Sequence, residues 1–167
     1  QEIHCTHLYL YYKFRPKERI IEYMLEEIDN NKLINNTLSS FANITASESP
    51  APGGGSVSAY LGVLGVSLAT MVANLSSHKK GWDERWKEFG DQAELGQQLK
   101  DKLLKLVDAD TDSFNAIMIA FSLPKSTTEE KTIRSNAIQD ATRKAIEIPL
   151  EVMKLSLESL SLIKSMA

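Results

Sequence analysis

The chain has 167 residues, 43% of them hydrophobic and 25% charged, the make-up of one globular domain with room for an appended segment. A formal net charge of −3 leaves no basic surface of the kind nucleic-acid binding needs, so no nucleic-acid partner is expected. The single cysteine, Cys5, excludes a disulfide within the chain and fits a reducing, cytoplasmic setting.

The chain opens at Gln1 without the basic stretch and cleavage pattern of a signal peptide, and is expected to be a piece of something longer. Residues 1–12, QEIHCTHLYLYY, partly alternate in polarity and predict an extended segment. His4, Cys5 and His7 have no second ligand pair at zinc-site spacing, so no metal site is expected there. Arg15 and Pro16 mark a boundary, with Pro16 in the first turn of a short helix, PKERIIEYMLEEI. A second helix is expected over residues 30–45, where Ile34, Leu38, Phe41 and Ala42 recur on one side.

Residues 49–74, SPAPGGGSVSAYLGVLGVSLATMVAN, read as a Pro-Gly loop launching a long uncharged helix. Gly53, Gly54 and Gly55 leave backbone N–H groups uncovered at the positive end of that helix, where an anion can bind. A structural turn is the alternative. No Lys-Ser or Lys-Thr pair follows the glycines and no strand precedes them, so the loop is neither a P-loop nor a dinucleotide fingerprint. The uncharged run over residues 57–77 has the length of a membrane span. Ser58, Ser67, Thr70, Asn74, Ser76, Ser77 and the interior Gly62 and Gly65 favour a buried helix instead, and no membrane partner is expected. Ala59, Gly62, Gly65, Ala69 and Ala73 would admit neighbours closely, which makes this helix the central rod of an array.

SSHKKGWDERW then gathers His78, Lys79, Lys80, Arg85 and Lys87 near two tryptophans, either as a solvated helix end or as a contact for an anionic ligand. A helix is expected over residues 83–123, and its phase separates its acids. Counting about 100° per residue from Leu103, Val107, Phe114, Ile117 and Phe121 fall within about 40° of it. Asp110 falls inside this stripe at about −20°, whereas Asp108 and Asp112 fall at about 140° and 180°. A carboxylate on an apolar face must be neutralised, paired or used. It either serves in acid–base work or makes a structural bond, to another helix or to Arg134 or Arg143. Pro124 ends this helix, and Ser126 with Glu129 predicts a capping box for the last one. That helix is expected to turn Ile133, Ala137, Ile138, Ala141 and Ala145 inward and to kink or break near Pro149. Lys125, Lys131 and Arg134 gather at its start, and the chain closes mid-helix at Ala167. Together the elements predict an all-α protein, an irregular multi-helix bundle around a central uncharged helix with a short N-terminal extended segment.

SPAPGGGSVSAYLGVLGVSLATMVANL, HKKGW, LVDADTDSFNAIM, FSLPKSTTEEK and the Pro149 helix resemble, in order, the cyclodeaminase domain of formiminotransferase-cyclodeaminase and the related methenyltetrahydrofolate cyclohydrolases. The resemblance covers about residues 35–167, and FRPKERIIEYM is similar to the segment that closes the formiminotransferase part of the bifunctional enzymes. It implies two parts: residues 1–30, a remnant of a formiminotransferase domain, and 31–167, a cyclodeaminase-type helical domain.

The resemblance further implies an all-helical fold, assembly into homodimers or larger rings, and a cytoplasmic role in one-carbon metabolism and histidine degradation. Its reaction takes 5-formiminotetrahydrofolate to 5,10-methenyltetrahydrofolate and ammonia, or hydrolyses the methenyl compound at the same site. A non-catalytic helical module that oligomerises or retains folate is the alternative from another class. The catalytic acid implied is Asp110, the second acid of VDAD. Gly53, Gly54, Gly55, Ser56, Lys79, Lys80 and Lys125 are the candidates for holding the pterin edge or the folate's glutamate carboxylates. No metal and no cofactor beyond the tetrahydrofolate derivative itself is expected. The SDAGVGA-like loop and NVRIN-ended helix that usually close the family domain are not in the sequence, which implies an incomplete pocket.

Overall fold

The computed structural model describes residues 32–166, and among these every regular element is helical. The expected extended segment over 1–12, the short helix after Pro16 and the boundary at residue 30 lie outside the described residues. The first described turn is a 3-10 helix, Leu33–Asn35, followed by α1, Leu38–Thr45. The helix expected over 30–45 is thus split. Thr37 stops the first turn and caps the second by accepting the Ser40 N–H at 3.1 Å. Asp108 holds the 3-10 turn from the far helix, accepting the Leu33 N–H at 2.7 Å. Of the apolar stripe expected here, Phe41 packs on the core, its ring 5.5 Å from that of Tyr60. Leu38 is 70% exposed.

Three long helices follow: α2, Gly54–Ser77; α3, Trp86–Ser122; and α4, Thr128–Met166. A 3-10 turn, Asp83–Arg85, leads into α3, so that helix starts a turn later than its sequence suggests. In α2 the side with Ala59, Val63, Val66, Thr70 and Ala73 is buried, which bears out its reading as a packed rod along that side. By length and composition alone α2 could also cross a membrane. The core is where Ala59, Val63 and Val66 of α2 meet Leu99, Leu103 and Val107 of α3 and Val152, Leu155 and Leu162 of α4. Each buried Leu or Val of this set contributes about 1.5–3 kcal/mol of transfer free energy. Small residues set how close the helices come. A β-carbon at Gly62 would stand 3.2 Å from Leu103, and one at Gly96 would overlap the Thr70 hydroxyl.

Three expectations change in the second half. The capping box of α4 forms one residue later, with the Thr127 hydroxyl accepting the Glu130 N–H at 3.1 Å and Glu130 accepting the Thr127 N–H at 3.0 Å. Ile133 and Phe121 point outward, 64% and 50% exposed, because the core narrows toward the α3–α4 connection. Of the kink or break expected at Pro149 the break is absent, since α4 runs on through the proline.

Candidate functional site

The site grows from the start of α2. Gly53 occupies its N-cap and has no side chain to accept an orphan helix N–H. Asp110, midway along α3, supplies the acceptor instead: its Oδ2 takes the Ser56 N–H at 2.8 Å. The carboxylate therefore lies at the positive end of the α2 dipole, where negative charge is favoured. The Ser56 hydroxyl is buried between helices, 2.8 Å from the Val107 carbonyl and 3.1 Å from Asp110 Oδ2, with the Thr111 hydroxyl at 3.3 Å. A hydroxyl has one proton to donate, so Ser56 serves one of those acceptors at a time and Thr111 can donate to it. Of the two outcomes weighed for Asp110, the helix-to-helix bond is present. Arg134 turns away instead and donates to the Phe121 carbonyl at 3.2 Å.

The approach of α3 to this loop requires glycine. A β-carbon built at Gly55 overlaps the Asp110 carboxylate, and one at Gly53 would stand 3.9 Å from Oδ2, whereas one at Gly54 meets nothing. Asp110 Oδ1 has no donor among the described residues. One oxygen of the carboxylate is thus anchored and the other left free.

A cavity of about 260 Å³ opens here, lined by Pro50, Ala51, Gly53, Gly54, Gly55, Asp110, Thr111, Ser113, Phe114, Ile117 and Ala145. Asp110 is the one ionisable side chain of this wall. Ala145 belongs to α4, four residues before Pro149. Proline has no N–H, so the carbonyl of Ala145, a residue that lines the cavity, lacks its usual helical donor. Such a wall can take a proton at Asp110, stabilise a cation beside it, and hold a flat ring against Phe114 and Ile117.

The structure brings Gly53, Gly54, Gly55 and Ser56 to Asp110 and leaves the three candidate lysines elsewhere. Lys79 and Lys80 follow the C-terminal end of α2, whose 24 residues span about 36 Å. There the Lys79 Nζ rests 4.4 Å from the centre of the Trp82 ring, which in turn stacks on Phe89 at 5.3 Å. Next to it a hydrogen bond from the Arg85 guanidinium holds the Glu88 carboxyl below the usual carboxylate range. Lys125 lies past the end of α3, and the twelve residues of helix from Asp110 to Ser122 alone span about 18 Å. Thr111 and Ser113 are wall residues that no sequence signal singled out, and Ala145 was expected inward but not at the site. Thr111 and Ser113 do flank Asp110 within one helical turn.

An all-helical bundle with a carboxylate docked on a glycine-opened helix end is the class that fold and site define. Residues 37–167 match the family model of formiminotransferase-cyclodeaminase. The chain belongs to the formiminotransferase-cyclodeaminase family. It is 37% identical over 137 residues to a formimidoyltransferase-cyclodeaminase of Gallus gallus, covering 81% of this chain and 25% of that one. It is 35% identical over 133 residues to a methenyltetrahydrofolate cyclohydrolase of Methylorubrum extorquens, covering 80% of this chain and 64% of the relative. The chain therefore spans about a quarter of the length of its animal relatives. Among solved structures, a formiminotetrahydrofolate cyclodeaminase of Thermotoga maritima shares the fold, with a TM-score of 0.62 at 24% identity over 81% of this chain and 74% of that one.

Proposed function

We propose that this chain carries a folate-dependent cyclodeaminase site that converts 5-formiminotetrahydrofolate to 5,10-methenyltetrahydrofolate and ammonia, in a cytoplasmic setting, with Asp110 as its acid–base group. The observation that carries this is the carboxylate itself: Oδ2 is fixed by the Ser56 N–H, and Oδ1 is free beside the cavity. The relatives' names supply the substrate class.

In the reaction N10 attacks the formimino carbon of the protonated amidine, which forms the N10–C bond and leaves the former imine nitrogen as an amine. Asp110 Oδ1 takes the N10 proton and returns it to that amine. The C–N bond breaks, ammonia leaves, and the positive charge ends on the methenyl bridge. The carboxylate faces a cation before it takes the proton and again once it has returned it, so it lowers the barrier electrostatically as well as by moving the proton. Gly53, Gly54 and Gly55, which line the cavity, offer backbone groups to the pterin edge, and Ser56 holds Asp110 behind them.

Hydrolysis of the methenyl bridge is the second reading, favoured by the similarity to the Methylorubrum extorquens cyclohydrolase. Water then adds to the methenyl carbon, Asp110 accepts its proton and returns it to the nitrogen whose bond to that carbon breaks, and a formyl group is left on the other nitrogen. Incubation with each substrate, following methenyl absorbance together with released ammonia, separates the two. The expected result is a rise of absorbance with stoichiometric ammonia from the formimino compound. A loss of absorbance from the methenyl compound alone supports hydrolysis, and binding without turnover of either contradicts both.

A further inference from the structure

We propose that Ser56 is a positioning residue whose hydroxyl follows the charge on Asp110. It donates to Oδ2 while the carboxylate is ionised, and to the Val107 carbonyl once Oδ1 carries a proton. This swing hastens the return of the proton to the leaving amine. The statement about the return rests on reading the cavity as a folate site, whereas the statement about the hydroxyl stands on the geometry alone.

Ser56 is 0% exposed, in the seam between α2 and α3. It is not among the residues that line the cavity, so it touches neither substrate nor bulk water and acts only through its neighbours. Its oxygen has three of them. The Val107 carbonyl lies at 2.8 Å, Asp110 Oδ2 at 3.1 Å and the Thr111 hydroxyl at 3.3 Å. With Thr111 donating to it, the Ser56 oxygen still has one proton of its own to place between two acceptors. Each acceptor already holds a first donor. Val107 stands four residues before Thr111 in α3, so its carbonyl takes the Thr111 N–H as the helix requires, and Oδ2 takes the Ser56 N–H at 2.8 Å. The hydroxyl can therefore turn about its Cβ–Oγ bond in either direction without orphaning a buried group.

Charge decides between the two directions. A hydrogen bond to an ionised oxygen is roughly twice as strong as one between neutral groups, which outweighs the shorter distance to Val107 while Asp110 is a carboxylate. Once Oδ1 is protonated, Oδ2 is an ordinary carbonyl oxygen and the closer Val107 carbonyl is preferred. In the cycle proposed above Asp110 takes the N10 proton at Oδ1 and must then give it up. A second donor turning back onto Oδ2 favours the ionised form, and so favours release to the amine. Ser56 keeps its own proton throughout, and the only proton transferred is the one that passes from N10 to the amine.

Two measurements on the full chain test the statements separately. The first is a double-mutant cycle by urea unfolding, with Ser56→Ala placed in the Asp110 chain and in Asp110→Asn. Ser56→Ala removes one oxygen and keeps the N–H that meets Oδ2, so the docking of α3 on α2 is retained. The midpoint is expected to fall in the Asp110 chain and to fall clearly less in Asp110→Asn, where no charge draws the hydroxyl. Equal falls in the two backgrounds overturn the response to charge, because the hydroxyl then serves Val107 alone.

The second measurement is steady-state kinetics of Ser56→Ala with 5-formiminotetrahydrofolate. A loss of about tenfold in kcat is expected, the worth of one hydrogen bond to a charged group, with KM unchanged within about twofold because Ser56 does not line the cavity. Unchanged kcat overturns the role in proton return, as does a loss confined to KM. Coupling in the unfolding cycle of a chain that converts neither folate upholds the response to charge and overturns the folate reading.

Discussion

At the scale of single residues the site depends on a side chain that is absent. Gly55 lies where any β-carbon would overlap the Asp110 carboxylate, so the docking of α3 on the start of α2 depends on the missing side chain. Gly55→Ala is expected to destabilise by about 1–3 kcal/mol, as overpacking does. Gly54→Ala meets nothing and should change stability by no more than about 1 kcal/mol. Urea unfolding of the two variants side by side checks this, and equal midpoints would show that the contact does not constrain the fold. Asp110 was legible in the sequence because it stands in a long regular helix, where its offset from Leu103 and Val107 can be counted. The lysines were named by resemblance alone, and the long helix expected over the uncharged run already sets them about 36 Å from the glycine loop that meets the acid.

At the scale of elements, regularity decides what sequence can foretell. The uncharged run became α2 with its expected buried side. Its outer leucines belong to the same pattern and carry the opposite meaning. The start of α4 was misplaced by one residue because Ser126 with Glu129 and Thr127 with Glu130 both satisfy the capping-box spacing, and only the hydrogen bonds choose between them. The helix over residues 30–45 split because the Leu33 turn is held by a distant acceptor, Asp108, 75 positions later. Pro149 did not break α4. Its consequence is local, a missing helical donor for the carbonyl of Ala145, a residue that lines the cavity. Pro149→Ala returns a donor to that carbonyl, and is expected to raise stability by up to about 3 kcal/mol while weakening folate binding. Denaturant unfolding and a binding titration on one sample check both signs. A stabilised variant of unchanged affinity would show that the ligand does not use the carbonyl.

At the scale of the whole molecule, the described bundle fastens its parts by one face of each long helix and leaves other apolar stretches outward. Besides Leu61, Leu64, Leu68 and Leu75 on the outer face of α2, α4 exposes Ile146, Leu150, Met153, Leu157 and Leu160, from 45% to 66%. Apolar surfaces of this extent are characteristic of interaction faces. The fold class followed from periodicity. Which apolar residues stay outward did not, because the same helical spacing serves a buried face and an exposed one.

Everything proposed for the chemistry turns on whether Asp110 does more than cap α2. Asparagine is nearly isosteric and can still accept the Ser56 N–H, but it can neither take the N10 proton nor offset the amidinium charge. The direct measurement is therefore kcat/KM for 5-formiminotetrahydrofolate with Asp110→Asn, beside the unfolding midpoint of the same preparation. The account predicts a loss of about 10²-fold or more with the fold retained. Unchanged kcat/KM in a folded Asp110→Asn chain would contradict it.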